Sequence, residues 1–449
     1  MTRVRVESGE LAGKTRNGVT AFLGIPYAAP VIGAARFRPP APLPRWTGTR
    51  AANEFGPSAP QPGGIRAELV LGPSTPSGPD CLVLNVWTPR LDPSAGLPVL
   101  VWQHGGGWIN GSGSVPALRG DTLAREAEAV VVTVNYRLGP FGFATHPELT
   151  GEHANLGLLD QRAALDWVHR NIEGFGGDPG RLTLGGDSAG AMSAAIQSVL
   201  PGTRRPAALA LHGGVPSLRE PAAVADIVEQ LAALIGVPVR GLAELDDEVL
   251  IAGAMDLGPL YPFGPVAAGE LDGGLPDPAG LPTLLVTTAD EGTFYLVDEQ
   301  SPREFTKVEA ERVAAGLLPG DAVRRYGIAA ANLLAERACD PRWALAAAVT
   351  TALMDEPADA WAAQAGPVWR FRYVRPATLW DGWLGATHTL DVPVLFGNHR
   401  RPELARLFAN DPGVDEVSAR MRREYKDFLH RSALDRPVWT VVEPYVHEI

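Results

Sequence analysis

The chain has 449 residues, 45% of them hydrophobic and 20% charged, which is the composition of a globular protein with a sizeable core. Its formal net charge of −12 argues against nucleic acid and against an anionic membrane surface as partners, because both would repel it. No apolar run is long enough to span a membrane, and the N-terminus lacks the apolar segment of a signal peptide.

The only two cysteines, Cys81 and Cys339, are too few for a disulfide framework or for a cysteine metal site. We expect both to be buried free thiols, a state that suits a reducing compartment. The sequence therefore predicts a cytoplasmic protein without a membrane partner.

The first elements along the chain are strands. Val4 and Val6 alternate with polar residues ahead of a glycine-containing turn, which predicts a hairpin. The segments 82–87, 98–102 and 129–134 are short, largely apolar and rich in β-branched residues. The last two predict strands of a parallel sheet that is buried on both faces.

Helices and strands alternate in the middle of the chain. Apolar residues recur at helical spacing between residues 155 and 172, which predicts an amphipathic helix. The segments 182–184, 282–288 and 368–373 supply further strands. This alternation predicts an α/β fold with one large, mostly parallel central sheet flanked by helices, and we expect a single domain over residues 1–449.

Two segments, 218–255 and 306–365, are rich in alanine and leucine and contain helix caps and acidic residues. They predict helices that are inserted around the sheet. We expect these helical insertions to form the walls of a substrate gorge.

The most informative motif lies at Gly186–Gly190, where the sequence reads Gly-Asp-Ser-Ala-Gly. It follows the apolar run 181–184 and precedes small residues, so a strand, a G-x-S-x-G turn and a helix occur in the order of a nucleophile elbow. The glycines leave room for a strained turn around Ser188, and the helix would direct its first amides at a developing oxyanion. A glycine-rich loop without chemistry is the alternative for this motif alone.

A second glycine motif, His104–Trp108, follows a predicted strand about 80 residues before the elbow. A His-Gly-Gly-Gly loop of this type supplies backbone N–H groups to the oxyanion in lipase-like hydrolases. A tight turn is the alternative, but two such motifs in the expected order favour catalysis. Trp108 is a candidate for the wall of the substrate pocket, with core packing as an equal alternative.

A serine nucleophile needs a base and an orienting acid, and in this fold order the acid precedes the histidine. His388 lies in a loop that begins with a glycine and precedes the apolar run 392–396. We interpret this loop as a strand-end setting that suits a catalytic base. His399 is the second candidate for the base. Asp290 and Glu291 directly follow a predicted strand. The residues alone do not choose between these two carboxylates.

Further segments resemble the type-B carboxylesterases, the cholinesterase-like branch of the α/β-hydrolases, and in particular bacterial para-nitrobenzyl-esterase-like members. The segments that carry the resemblance are Phe22–Ala28, Asp80–Val86, Asn135–Gly139, Asn155–Gln161 and Phe175–Pro179. The resemblance spans essentially the whole chain and is weak between residues 200 and 260. It implies an α/β-hydrolase fold and the hydrolysis of carboxylic esters.

Carried over to this sequence, the resemblance implies Ser188 as the nucleophile and His388 as the base. It selects Glu291 over Asp290 as the acid. It further implies an oxyanion hole of three backbone N–H groups, those of Gly106, Gly107 and Ala189.

The sequence departs from the pattern of this family at three places. Asp187 stands where glutamate is usual. A Gly-Asp-Ser-Ala-Gly elbow behind a His-Gly-Gly-Gly loop also resembles the hormone-sensitive-lipase-like esterases. Those chains are shorter, however, and lack the first and last of the segments above. Ala59 stands where many members have the disulfide partner of Cys81, so we expect no such bridge. The segment His212–Gly214 replaces a common Gln-Ser-Gly, and we expect altered hydrogen bonding behind the site.

Together, these features predict hydrolysis of a small-molecule ester through an acyl-enzyme, with no cofactor and no metal. Cleavage of amide, carbamate or thioester bonds is an alternative, because acyl transfer from any of them uses the same groups. A catalytically silent relative that acts as a binding protein is a second alternative, which the presence of all three candidate residues disfavours. The sequence specifies neither the natural substrate nor the oligomeric state.

Overall fold

Strands make up the centre of the fold. The structure is a computed structural model that describes residues 2–63, 66–257, 262–275, 280–297, 306–318, 324, 327 and 341–449. The strands in these residues are β1 (Thr2–Val6), β2 (Gly9–Arg16), β3 (Val19–Pro26), β4 (Thr49–Ala51), β5 (Val83–Thr88), β6 (Leu97–Gln103), β7 (Val130–Val134), β8 (Gly177–Asp187), β9 (Ala208–His212), β10 (Thr283–Thr288), β11 (Val368–Tyr373) and β12 (Val446–Glu448).

Helices connect and cover the strands. Those in the described residues are α1 (Arg66–Leu71), α2 (Asp121–Ala127), α3 (Gly139–Phe143), α4 (Pro147–Thr150), α5 (Leu156–Asn171), α6 (Ala189–Val199), α7 (Pro221–Ile235), α8 (Asp247–Asp256), α9 (Lys307–Leu317), α10 (Pro341–Thr350), α11 (Glu356–Ala362), α12 (Asp391–Leu395) and α13 (Val414–Arg431). The predicted insertions therefore contain α7 and α8 in the first segment and α9, α10 and α11 in the described part of the second.

All strands of the described residues belong to one sheet, in the order β1-β2-β3-β5-β7-β6-β8-β9-β10-β11-β12, with β4 beside β2. Neighbours from β7 to β12 are parallel, whereas the pairs that connect β1, β2, β3, β5 and β7 are antiparallel. Because parallel strands end at the same edge of a sheet, the loops after β6, β8, β9 and β10 meet there.

The side chains of β6 show why this part of the sheet is buried on both faces. Val99 and Val101 point into a core that includes α5 and α6, whereas Leu100 and Trp102 point into a second core that includes α2 and α13. All four side chains are fully buried. A strand that is covered on both sides reads as a continuous apolar run, as the sequence does here.

The predicted hairpin, strands and amphipathic helix are confirmed, and the strand predicted at 182–184 is the middle of the longer β8. The strand-end interpretation of the His388 loop is wrong, because the apolar run that follows forms α12. Every residue of α12 is buried. A short run that is apolar on all sides does not distinguish a helix from a strand.

Cys81 is a buried free thiol, as predicted, and burial raises its pKa to about 12. It forms no bridge, and Ala59 is buried as well. Cys339 lies outside the described residues. Within the part of the chain that the structure describes, no helix is long and apolar enough to cross a membrane.

Candidate active site

The turn between β8 and α6 places Ser188 at the carboxyl edge of the sheet. Its φ of 52° and ψ of −125° lie in a region that is strained for a residue with a Cβ atom. A Cβ on Gly186 would lie 2.5 Å from the carbonyl oxygen of Gln103, and a Cβ on Gly190 would collide with the same oxygen. The two glycines therefore allow the strained turn, as the motif predicts.

The glycine loop after β6 lies against this turn. Gly106 and Gly107 have φ values of 111° and 62°, in the region that favours glycine. The Gly105 N–H donates a hydrogen bond of 3.1 Å to Asp187 Oδ2, and a Cβ on Gly105 would lie 3.0 Å from the Cβ of Ser188. The loop and the elbow are therefore in direct contact.

Asp187 connects these two segments from a fully buried position. Its Oδ2 accepts the Gly105 N–H, and its Oδ1 accepts the Trp102 Nε1–H at 2.8 Å. Burial raises the pKa of Asp187 to about 6, although the Trp102 hydrogen bond opposes this effect. At neutral pH the ionised carboxylate holds the start of the glycine loop in place.

His104 begins the glycine loop but does not have the properties of a base. Burial lowers its pKa to about 4, so the imidazole is neutral near pH 7. Its ring stacks on Tyr136 with the centroids 4.4 Å apart, and its Nδ1 lies 2.8 Å from the carbonyl oxygen of Gly105. His104 therefore packs and orients the loop.

Glu291 and His388 form a buried pair at the same edge of the sheet. A 3₁₀ turn, Glu291–Leu296, begins three residues after β10 ends. Glu291 Oε1 accepts the Thr288 N–H at 2.7 Å, and Oε2 accepts a short hydrogen bond from His388 Nδ1. The other imidazole nitrogen, Nε2, has no hydrogen-bond partner among the described residues.

Burial and nearby negative charge act in opposite directions on the pKa of His388. Burial lowers it by disfavouring the imidazolium. Glu291 raises it through its charge and its hydrogen bond, and the charges of Asp187 and Asp391 add to this effect. The pKa of His388 is raised overall, above its usual value of 6.5.

Two glycines after β9 connect the serine with the histidine. The carbonyl oxygen of His212, the last residue of β9, accepts the Ser188 N–H at 2.7 Å. A Cβ on Gly213 would lie 2.8 Å from His388 Cε1, and a Cβ on Gly214 would lie 2.5 Å from the carbonyl oxygen of Ser188. The elbow and the histidine therefore contact adjacent residues of one short segment.

The alternative acid and base have other partners. Asp290 Oδ2 accepts the Ala386 N–H at 2.8 Å, so this carboxylate holds the loop that carries His388. His399 Nε2 pairs with Asp415 Oδ1 at 2.7 Å. Among the described residues, no group of three or more histidine, cysteine, aspartate or glutamate side chains is placed to hold a metal ion.

Trp108 lies in the core beside the glycine loop, with 7% of its surface exposed. Its Nε1–H donates to Ser193 Oγ of α6 at 3.0 Å, and its ring centroid lies 6.1 Å from that of Phe143. These are the contacts of a packing residue. A part in the pocket wall stays a prediction.

Sequence reasoning missed a buried polar cluster behind the site. His212 Nδ1 contacts the Asp391 carboxylate, and His212 Nε2 contacts the Tyr425 hydroxyl. The replacement of Gln-Ser-Gly by His212–Gly214 was the one signal of altered hydrogen bonding here. It did not indicate the partners, which lie 179 and 213 residues further along the chain.

The fold and this site define an α/β-hydrolase with a nucleophile elbow. The sequence model of the carboxylesterase family matches residues 1–238, and the chain belongs to this family. It is 32% identical over 457 residues to the phenmedipham hydrolase of Pseudarthrobacter oxydans, with 95% of this chain and 87% of the relative covered. It is 34% identical over 427 residues to the para-nitrobenzyl esterase of Bacillus subtilis, with 88% and 83% covered.

The structural comparison agrees with the sequence comparison. A solved structure of a carboxylesterase from Geobacillus stearothermophilus superposes with a TM-score of 0.85 at 30% identity, covering 100% of this chain and 96% of that chain. The predictions of the fold, the family and ester hydrolysis are therefore confirmed. The protein is a carboxylic ester hydrolase of a family that acts on small-molecule esters.

Proposed function

We propose that the enzyme hydrolyses carboxylic esters through an acyl-enzyme, with Ser188 as the nucleophile, His388 as the base and Glu291 as the acid that orients it. The observation that carries this proposal is the buried Glu291–His388 pair, whose Nε2 has no partner among the described residues. The imidazole lies against Gly213, next to the glycine that contacts Ser188.

The hydrogen bond from Nδ1 to Glu291 fixes the tautomer, so Nε2 is the basic atom of neutral His388. Nε2 takes the hydroxyl proton as Ser188 Oγ bonds to the ester carbonyl carbon. Glu291 stabilises the resulting imidazolium, which then gives its proton to the leaving alcohol as the ester C–O bond breaks. His388 next activates a water, which releases the acid and restores Ser188.

We assign the oxyanion of the tetrahedral intermediate to the backbone N–H groups of Gly106, Gly107 and Ala189. Ala189 is the first residue of α6, and the first amides of a helix have no partner within it. The helix also presents the positive end of its dipole there. Each oxyanion donor typically stabilises the transition state by roughly 3 kcal/mol.

We propose that α8 forms one wall of the substrate gorge. A crevice with apolar walls lies between Ile109 and the α8 side chains Ile251 and Met255, with Phe263 beside them. The Ile109 N–H donates to the carbonyl oxygen of Gly106 at 3.1 Å, so the crevice adjoins the glycine loop. The apolar lining matches the chemistry of apolar acyl or alcohol groups.

An ester panel that varies acyl and alcohol length separately tests this assignment. We expect kcat/KM to rise with apolar chain length on one side of the ester, because longer chains bury more surface in the crevice. A Met255→Ala variant should weaken that preference. Val249→Ala of the same helix is the control, because Val249 is equally exposed but does not line the crevice. Matched thioester, carbamate and amide substrates in the panel distinguish the bond classes that the same residues could cleave.

We further propose that residues 1–449 form one domain in the cytoplasm. A single sheet that includes strands from Thr2 to Glu448 supports one domain, and the free thiol of Cys81 supports a reducing compartment. Limited proteolysis that releases a stable folded half would contradict the first statement. Recovery of the enzyme outside the cytoplasmic fraction would contradict the second.

Replacement of the nucleophile tests the mechanism. We expect Ser188→Ala to lose roughly 10⁴- to 10⁶-fold in kcat/KM on p-nitrophenyl acetate, because the acyl-enzyme has no other site of formation. A fluorophosphonate probe should label the wild type but not this variant. Ser198→Ala, near the end of the same helix, is the matched control and should keep both properties. A Ser188→Ala variant with more than a few per cent of activity would falsify the proposal.

A further inference from the structure

A second histidine–carboxylate pair lies directly behind the catalytic one. His212, Asp391 and Tyr425 are each at most 2% exposed. The His212 imidazole contacts Asp391 Oδ2 through Nδ1 and the Tyr425 hydroxyl through Nε2, and its ring centroid lies 5.1 Å from that of Trp102. Both nitrogens of this buried ring therefore have partners.

The partners define where the protons lie. An ionised carboxylate only accepts hydrogen bonds, so His212 Nδ1 carries the proton and donates it to Asp391. Burial and the Asp391 charge raise the pKa of Tyr425, so the phenol that contacts Nε2 keeps its proton. The imidazole of His212 therefore connects the Asp391 carboxylate with a phenol that keeps its proton.

The cluster reaches both sides of the catalytic site. On one side, the carbonyl oxygen of His212 accepts the Ser188 N–H. On the other side, Asp391 begins α12 only three residues after His388. The hydrogen bond between His212 and Asp391 therefore ties the loop of the base to the strand end that holds the nucleophile.

The Asp391 charge also acts on the base itself. The ionisable groups around the His388 loop are Glu291 and Tyr295 of the 3₁₀ turn, Asp290 before it, Asp187 at the end of β8 and Asp391 of α12. Three of these raise the pKa of His388, in the order Glu291, Asp187 and Asp391. Loss of the Asp391 charge should therefore lower it.

We propose that His212 and Asp391 are positioning residues for ester hydrolysis: their hydrogen bond aligns the loop that carries His388 with the elbow, and it places the negative charge of Asp391 beside that loop. This inference rests on the proposed roles of Ser188 and His388. A glutamine at position 212 has an N–H for Asp391 and a carbonyl for Tyr425, so it is the conservative replacement.

The charge is tested with Asp391→Asn, whose side-chain oxygen still accepts the His212 N–H. We measure the pH profile of kcat/KM on p-nitrophenyl acetate and expect its acid limb, the fall in kcat/KM at low pH, to move to lower pH by about 0.5 to 1 unit. A residue that merely supports the fold would not move this limb. Asp415→Asn is the matched control, because it removes the charge of the separate His399–Asp415 pair. A folded Asp391→Asn variant with an unmoved limb overturns the proposal.

The alignment is tested with two replacements of His212. We expect His212→Leu to lose roughly 10- to 100-fold, mainly in kcat, because small misplacements of catalytic groups have effects of this size. His212→Gln should stay within about threefold of wild type, because it keeps the hydrogen bonds. A folded His212→Leu variant with wild-type kcat overturns the proposal. If this variant does not fold, the pH profile of the Asp391→Asn variant provides the test.

The two proposals fail in different ways. An active Ser188→Ala variant removes the proposed mechanism and with it this inference. An inactive Ser188→Ala variant beside a wild-type-like His212→Leu variant removes the inference alone.

Discussion

The two halves of the chain supply the site in different ways. The first half, which the family model matches, supplies the proposed nucleophile Ser188 and two backbone conformations, the glycine loop after β6 and the elbow after β8. The second half supplies side chains, Glu291 and His388, which lie 97 residues apart in the chain and meet only in the folded sheet. A strained backbone conformation requires glycine at fixed positions, so it is visible as a local motif in the sequence. A single side chain such as Glu291 or His388 has no such motif around it.

Breaking the Glu291–His388 pair of the second half should have a larger effect than disturbing the backbone of the first half. We expect Glu291→Gln to lower kcat by about 10⁴-fold, because the amide can donate to Nδ1 and place the His388 proton on Nε2. Steady-state kinetics on p-nitrophenyl acetate measure this loss. Asp290→Asn is the matched control, because its side-chain oxygen can still accept the Ala386 N–H, and it should retain most activity. If Asp290→Asn is the more damaging change, the acid has been assigned to the wrong residue.

Disturbing the backbone of the first half should cost less. A Cβ on Gly106 would collide with Asn110, and its φ of 111° disfavours alanine. We expect Gly106→Ala to lower kcat by about 10²- to 10³-fold, the loss seen when one oxyanion donor is removed. Gly202→Ala is the control, because Gly202 also has a positive φ, 77°, but open space around it. Equal kcat values for the two variants would exclude Gly106 from the oxyanion hole.

This difference between the halves explains how much the sequence could predict. The doubly buried β6 and the elbow glycines were correctly predicted, because burial and local strain select residue types at adjacent positions. The apolar run of α12 predicts a strand as readily as a helix, because uniform burial removes any periodicity from its sequence.

Prediction of the proposed acid, Glu291, and of the polar cluster behind the site requires knowledge of contacts between residues that are far apart in the chain. The adjacent carboxylates Asp290 and Glu291 are equivalent by residue type and differ only in their partners, and the family resemblance was needed to choose between them. His212 is a departure from the pattern of that family. Its partners Asp391 and Tyr425 come from distant helices, and local patterns carry no information about such contacts.

The pH dependence tests the environment of the base in the second half. In the proposed mechanism His388 must be neutral to take the Ser188 proton, and its pKa is raised above 6.5. We therefore expect kcat/KM to fall about tenfold per pH unit below a midpoint that lies above pH 6.5. Profiles on two esters with different leaving groups should share this midpoint, because it belongs to the free enzyme. A midpoint at or below 6.5 would contradict the raised pKa.

We expect the smallest effect from a change at Trp108, which tests whether the glycine motif of the first half contributes a side chain to the pocket. Trp108 donates to Ser193 from the core, so we expect Trp108→Phe to lower kcat/KM only about threefold, equally for short and long acyl esters. Ser193→Ala removes the same hydrogen bond from the other side and should give the same loss, and the double variant should lose no more than either. If Trp108→Phe instead changes the ratio between short and long esters while Ser193→Ala does not, the indole is part of the pocket wall. In that case the first half would supply a side chain for substrate specificity in addition to the proposed nucleophile and oxyanion hole.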